Sequence, residues 1–248
     1  MKRSGLWLLP CAFFAVCCIL NLIGCFISPE LKSMVKPALM PLLCLTSVTW
    51  LGGRFVPGAS VHPATGSDAR KGVLPLEGAG LLVAAQLFGF AGDTLLIPDG
   101  FLPFVGGMVM FIVGHICYIT LFGGRSWKGL KPWHWVLAGV LVPGCAVTLV
   151  AVIGVNGSML VPMLVYAMVL MVLNFSTLAG ALRFGGLTWW LLLAGSVLFA
   201  FSDSLIAIGA FGQLSPFMRG FGVMSTYLAA QSLLAIGALR LITADKKK

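Results

Sequence analysis

Residues 101–122 read FLPFVGGMVMFIVGHICYITLF, a run without a single Asp, Glu, Lys or Arg. A helix of this length is about 33 Å long, enough to cross the roughly 30 Å hydrocarbon core of a bilayer. Seven further runs have a similar character, at Leu6 to Ile27, Val35 to Leu51, Gly78 to Ile97, Trp133 to Ile153, Ser158 to Leu178, Leu187 to Phe211 and Phe221 to Ile242. Lipid forces each segment to satisfy its own backbone, and the runs lack the alternation of a water-lined barrel. The sequence therefore predicts an all-α bundle of eight transmembrane helices in one integral membrane domain, residues 1–248.

The composition agrees with this fold class. Of the 248 residues, 59% are hydrophobic and only 9% are charged, whereas an ordinary soluble domain has about 25% charged residues. The net charge of +9 lies in short loops and at the ends, without a basic face that would suit nucleic acid. The seven cysteines lie in apolar runs without CxxC spacing, so we expect no disulfide, metal or cofactor site.

The distribution of Lys and Arg predicts the orientation. Of the 16 such residues, only Lys32, Lys36 and Arg219 fall on one side of the predicted spans, which leaves thirteen on the other. The positive-inside rule therefore places both termini in the cytoplasm. The longest connection, residues 52–77, is rich in Gly, Pro and small polar residues and is predicted to be a flexible cytoplasmic loop. A lipoprotein cleavage box ending at Cys25 is the competing interpretation of the N-terminus, but the apolar stretch before it exceeds the usual 7 to 15 residues.

Two carboxylates lie deep inside apolar runs, Asp93 in the third and Asp203 in the seventh. An acidic residue at such depth costs at least about 2.5 kcal/mol, which favours a functional role. Gly92-Asp93-Thr-Leu-Leu resembles Ser202-Asp203-Ser-Leu-Ile, four helices later and so in the same orientation. This similarity is compatible with two parallel four-helix repeats. We expect both carboxyls to face a common cavity in the outer half of the membrane.

Other polar residues are predicted to lie in the same layer. At 1.5 Å per residue, five side chains reach a depth similar to that of the aspartates and are candidates for substrate binding, namely Lys36, Tyr227, Gln231, Asn21 and Gln86. His115 lies about 21 Å from the outer boundary on the same arithmetic, some 12 Å from this layer. We therefore interpret His115 as a buried packing residue, without a second His that could complete a metal pair.

Structural roles remain open for these residues. The two aspartates could accept hydrogen bonds from Ser, Thr or Tyr and serve only to join helices. Lys36 could extend its ammonium to the interface, and Tyr227 could be a packing residue with a hydrated hydroxyl.

The sequence resembles the YhhN family of integral membrane proteins, whose animal members are lysoplasmalogenases. The resemblance spans nearly the whole chain and depends on the order and spacing of short elements: Lys36-Pro37, Gly92-Asp93, Gly114-His115-x-x-Tyr118, Ser202-Asp203 and the Tyr-x-x-Ala-Gln that ends at Gln231. It implies a membrane hydrolase that cleaves the vinyl ether bond of lysoplasmalogen to a fatty aldehyde and a glycerophospho-base.

The resemblance also implies how the residues would act. Asp93 and Asp203 would be the catalytic acid and base, without a cofactor, and the substrate would be a lysophospholipid in the bilayer of a bacterial plasma membrane. A proton-coupled transporter or a lipid-binding membrane protein is the alternative, in which the aspartates would carry protons. A transporter favours polar residues that lead to both faces, and here the cytoplasmic half offers few.

The orientation can be measured directly. We expect a reporter that functions only in the cytoplasm to be active when it is fused after Lys248, because thirteen of the 16 cations are predicted to lie on the side of the termini. Activity of a reporter that functions only outside the cytoplasm would contradict this orientation.

Overall fold

A computed structural model describes residues 5–52, 75–98 and 100–244. In that part of the chain there is no strand, and eight α-helices follow one another: α1 Leu8–Ile27, α2 Pro29–Gly52, α3 Pro75–Leu95, α4 Phe101–Ser126, α5 Pro132–Ile153, α6 Leu160–Phe184, α7 Gly186–Phe211 and α8 Val223–Ala244. All eight are long and apolar enough to cross a membrane. The prediction of an all-α, multi-pass bundle is confirmed. Most of the predicted flexible loop, residues 53–74, lies outside the described residues.

Helix α2 begins earlier than its apolar run. It starts at Pro29 rather than near Val35 and includes Glu30 and Lys32. Hydropathy marks the part of a helix that lies in hydrocarbon, and polar residues can continue the same helix into the interface. As a result Lys32 and Lys36 stand one helical turn apart, on the same face of α2.

The bundle is formed from neighbouring helical hairpins. The pairs α1–α2, α3–α4 and α7–α8 pack closely along their length, and α6 contacts α4, α5 and α7. Burial differs strongly between helices: 61% of the span that contains α8 is buried, against 17% of the spans of α1 and α5. Helix α8 is therefore the most enclosed, and α5 lies at the periphery.

The contact between α6 and α7 depends on a glycine. A Cβ atom at Gly180 of α6 would lie 2.0 Å from Cε3 of Trp189 on α7, so the indole occupies the space that any larger residue would need. Close packing through small residues is how helices associate in lipid, where apolar surface alone provides little drive.

This packing leads to a stability prediction. Gly180→Ala should lower the thermal stability of the detergent-purified protein, because overpacking typically costs about 1 to 3 kcal/mol. Gly139→Ala is the matched control, since a Cβ there would meet nothing within 4 Å, and it should be neutral or slightly stabilising. Equal melting temperatures for the two variants would contradict the contact.

Candidate active site

The Asp93 carboxyl lies near the end of α3 and is only 7% exposed. Tyr227, in the second turn of α8, donates a hydrogen bond from its hydroxyl to Asp93 Oδ2 at 2.5 Å. Gln231, one turn further along α8, donates from Nε2 to the Tyr227 hydroxyl oxygen at 3.3 Å. This chain of hydrogen bonds joins α3 to α8 and fixes the orientation of the carboxyl.

The Asp203 carboxyl has an equivalent partner from a different helix. It lies on α7, is 8% exposed, and accepts a hydrogen bond at Oδ2 from the hydroxyl of Tyr166 on α6. The adjacent Ser202 donates to the carbonyl of Val223 at 3.2 Å, which ties the same turn of α7 to the start of α8. Each buried carboxylate is thus held by one buried phenol.

The two carboxyl groups belong to one site. A series of packed aromatic rings links Tyr227, the partner of Asp93, to Tyr166, the partner of Asp203. The ring of Phe199 packs against Tyr227 and against His115. Its centroid is 5.6 Å from that of Tyr227 and 4.6 Å from that of His115. Asp93, Tyr227 and Gln231 are therefore joined directly by hydrogen bonds, and Asp203 is linked to them through packed aromatic rings.

The carboxyls do not, however, line one common cavity. A narrow cavity of about 40 Å³ is lined by Asp203 and Tyr166 and otherwise almost wholly by apolar side chains, among them Phe111, Met163 and Leu170. Asp93 and Tyr227 are not among its lining residues. Of the two carboxyls, only Asp203 reaches this space, which lies between α4, α5, α6 and α7. We call this space the apolar cavity.

A second cavity next to the first is cationic. It has a volume of about 300 Å³ and contains Lys32, Lys36 and Arg219 in its lining, and we call it the cation cavity. These are the three cations that the sequence places on the outer side. Leu96, Phe104 and Ile206 line both cavities, so the two spaces share a wall.

Local helix geometry places the cations in this cavity. Arg219 lies in a five-residue π-helical turn, Met218–Gly222, directly before α8; such turns are frequent at functional sites. Lys36 is close enough to Asp93 to interact with it electrostatically. The cation cavity therefore lies next to the Asp93 side of the carboxyl pair.

Two predicted binding residues lie elsewhere. Asn21 is fully buried and donates from Nδ2 to the Lys32 carbonyl at 3.1 Å, which joins α1 to the first turns of α2. Gln86 is also fully buried and donates from Nε2 to Ser47 Oγ at 2.9 Å. Neither lines the apolar or the cation cavity. Their depth matched the aspartate layer, but each faces a neighbouring helix instead.

His115 packs against the partner of Asp203. Its ring centroid is 5.9 Å from that of Tyr166. The separation of about 12 Å in depth between His115 and the aspartate layer stays a prediction. His115 is buried as expected and packs among aromatic rings, and its Nδ1 has no partner within the described residues.

The hydrogen-bond partners depart from the suggested internal repeat. A repeat of four helices relates α3 to α7 and α8 to α4, so the counterpart of Tyr227 would lie on α4. The phenol at Asp203 comes from α6 instead. The two halves place similar carboxyls but hold them by different means.

Three site residues were not predicted from the sequence: Tyr166, Lys32 and Arg219. Only three tyrosines occur in the chain, and Tyr166, eight residues into its apolar run, lies at the depth of Tyr227 by the same arithmetic. Lys32 and Arg219 were identifiable as the cations that oppose the positive-inside bias. Both signals were present in the sequence.

Comparison with known proteins identifies relatives over most of the chain. The model of the YhhN family matches residues 31–238. Lysoplasmalogenase TMEM86B of Homo sapiens is 30% identical over 238 residues, which covers 94% of this chain and 87% of the relative. Lysoplasmalogenase TMEM86A of Bos taurus is 34% identical over 157 residues, 62% of each chain. No solved structure gives a significant match.

Proposed function

This chain belongs to the YhhN family, and we propose that it is a lysoplasmalogenase-like hydrolase that uses Asp93 and Asp203 as its catalytic acid and base. The observation that carries the proposal is the pair of buried carboxyls, each bound by a buried phenol, inside the bundle. Ionisable groups at such depth are expensive unless they have a function.

The chemistry of a vinyl ether suits two carboxyl groups. Transfer of a proton to the β-carbon of the double bond gives an oxocarbenium ion. Water then adds to the α-carbon and loses a proton, and the hemiacetal collapses to an aldehyde and a glycerophospho-base. The net reaction consumes one water. The steps require one proton donor and one carboxylate that stabilises the cation and accepts the proton from water.

The positions of the carboxyls suggest which group performs which step. Asp203 lines the apolar cavity, where the alkenyl chain would lie, and is the proposed proton donor to carbon. Asp93 lies within electrostatic reach of Lys36 at the polar end of the site and is the proposed base for water. Tyr166 and Tyr227 are positioning residues, because each holds one carboxyl oxygen.

The two cavities suggest how a lysophospholipid would bind. Its phosphate suits the cation cavity, because Lys32, Lys36 and Arg219 can form charge-assisted hydrogen bonds to phosphate oxygens. The first carbons of its single chain suit the apolar lining beside Asp203, since a cavity of about 40 Å³ holds only a short segment of the chain. Leu96 and Phe104 line both spaces, so the vinyl ether, which joins the chain to the head group, would lie near these two residues and next to Asp203.

The orientation completes the proposal. With both termini in the cytoplasm, the cation cavity opens toward the outer leaflet of a bacterial plasma membrane, since its three cations are those outside the cytoplasmic majority. Substrate would then enter from that leaflet.

The mechanism predicts the effect of removing either acid. Asp93→Asn and Asp203→Asn should each reduce aldehyde release from lysoplasmalogen at least about a hundredfold, because general acid–base catalysis is worth roughly 10² to 10⁴ in rate. The double variant should be little worse than either single variant, because residues that act as one unit are not additive. Purified protein in detergent and an aldehyde assay are sufficient.

Thr94→Ala is the matched control, because Thr94 follows Asp93 but is exposed and bonds only to the Phe90 carbonyl. A saturated ether analogue should give no aldehyde with any variant. An Asn variant that keeps more than about a tenth of wild-type activity would exclude that aspartate from proton transfer. If the wild type releases no aldehyde, a proton-coupled transporter or a lipid-binding protein becomes the better proposal.

The cation cavity leads to a separate prediction. Arg219→Gln should raise KM about tenfold or more with a smaller change in kcat, because a hydrogen bond to a charged group contributes about 1.5 to 3 kcal/mol. Arg240→Gln is the control, since Arg240 is exposed and bonds Thr188 on α7. An alkenyl glycerol without phosphate should show no difference between Arg219→Gln and the wild type. Equal losses with both substrates would contradict phosphate binding in this cavity.

A further inference from the structure

A large groove lies between α5 and α6, away from the carboxyl pair. Its volume is about 430 Å³. Two small buried residues, Ala138 and Ala179, lie at its floor, and its walls carry exposed leucines, of which Leu182 is 73% exposed. We call it the α5–α6 groove. It exists because α5 is a peripheral helix and the alanines leave the space between the two helices unfilled.

One end of the groove is cationic. Lys131, at the start of α5, and Arg183, in the last turn of α6, both line it and are exposed. The Arg183 guanidinium lies so close to Gly129 that a Cβ there would be 2.9 Å from its nitrogen. The sequence from residue 100 to residue 202 contains no Asp or Glu, so this part of the chain supplies no local counter-charge.

An aromatic residue marks the same end as a membrane interface. Trp133 lines the groove within one turn of Lys131 and is exposed. Trp is enriched where its ring can lie at the level of lipid head groups. The cations and the indole therefore lie at the height of the phosphates, on the side that the sequence predicts to be cytoplasmic.

The length of the groove matches one leaflet. Its lining runs along α5 from Lys131 to Leu141 and along α6 from Arg183 to Phe175, which corresponds to roughly 15 and 12 Å at 1.5 Å per residue. The hydrocarbon core is about 30 Å thick, so the groove ends near its middle. A transmembrane helix from a second copy would need a groove of the full thickness, whereas a lipid chain needs only half.

We propose that the α5–α6 groove binds an anionic phospholipid of the cytoplasmic leaflet, with its phosphate at Lys131 and Arg183 and one acyl chain along the leucine walls. The head group is recognised by charge, and the chain by the apolar floor that the alanines leave open. This site shares no lining residue with the apolar or the cation cavity. The inference is therefore independent of the proposed hydrolase function.

Fluorescence quenching by brominated lipids tests the site. Wild-type protein and Trp133→Phe are placed in phosphatidylcholine nanodiscs that contain a minor fraction of brominated phosphatidylglycerol or brominated phosphatidylcholine. The difference between the two proteins gives the Trp133 emission. We expect brominated phosphatidylglycerol to quench the Trp133 emission at a much lower mole fraction than brominated phosphatidylcholine does. Equal quenching by the two lipids in the wild type would overturn the proposal.

Variants separate a specific site from general attraction to a charged bilayer. The double variant Lys131→Gln, Arg183→Gln should reduce the preference for phosphatidylglycerol about twenty-five-fold, because each basic residue near anionic lipid strengthens binding about fivefold. The double variant Ala138→Phe, Ala179→Phe keeps both cations but fills the floor, and it should also lose the preference. Arg240→Gln should keep it. A preference that survives the filled floor in monodisperse protein would mean that only the basic surface attracts the lipid, which would overturn the proposed groove site.

Discussion

The arrangement of the helices around the candidate site depends on the cost of two carboxyl groups buried among apolar helices. A polar group in the hydrocarbon core cannot bond to water, so the protein must supply its hydrogen-bond partners. Tyr227 and Tyr166 do this for Asp93 and Asp203. Because each bond crosses between helices, α3 is tied to α8 and α6 to α7. The same contacts that make the carboxyls tolerable also hold four helices in register at the site.

The two carboxyl groups have different environments, apolar at Asp203 and cationic near Asp93. The site is therefore asymmetric. On one side, Asp203 borders a narrow space walled by residues such as Met163 and Leu170. On the other side, Lys36 lies near Asp93, and Lys32 and Arg219 extend the positive charge away from it. An amphiphile with one chain and one phosphate can match both sides in only one orientation. Specificity of this kind comes from the placement of charge and apolar surface at opposite ends of one binding site, with few polar groups in between.

The sequence was sufficient to predict the number of helices, the deep carboxyls and the α8 stripe of Tyr227 and Gln231. These follow from run length and from the 3.6-residue repeat, which are local properties of a helix. It was not sufficient to predict which residues face one another. Asn21 and Gln86 bond to α2 instead of facing the site, and His115 packs against Tyr166. Depth along a helix follows from counting residues, whereas rotation and tilt follow from packing with neighbours such as Trp189 against Gly180.

The cations show how topology and function can share one kind of residue. The sequence predicts that most Lys and Arg residues lie on the side of the termini, as the positive-inside rule requires. Lys32, Lys36 and Arg219 oppose that bias, and all three line a single cavity. Three cations placed at random on α2 and on the turn before α8 would not be expected to line the same cavity. Their convergence in one cavity, with Arg219 in a π-helical turn, is the reason that we propose an anion-binding role for these three residues.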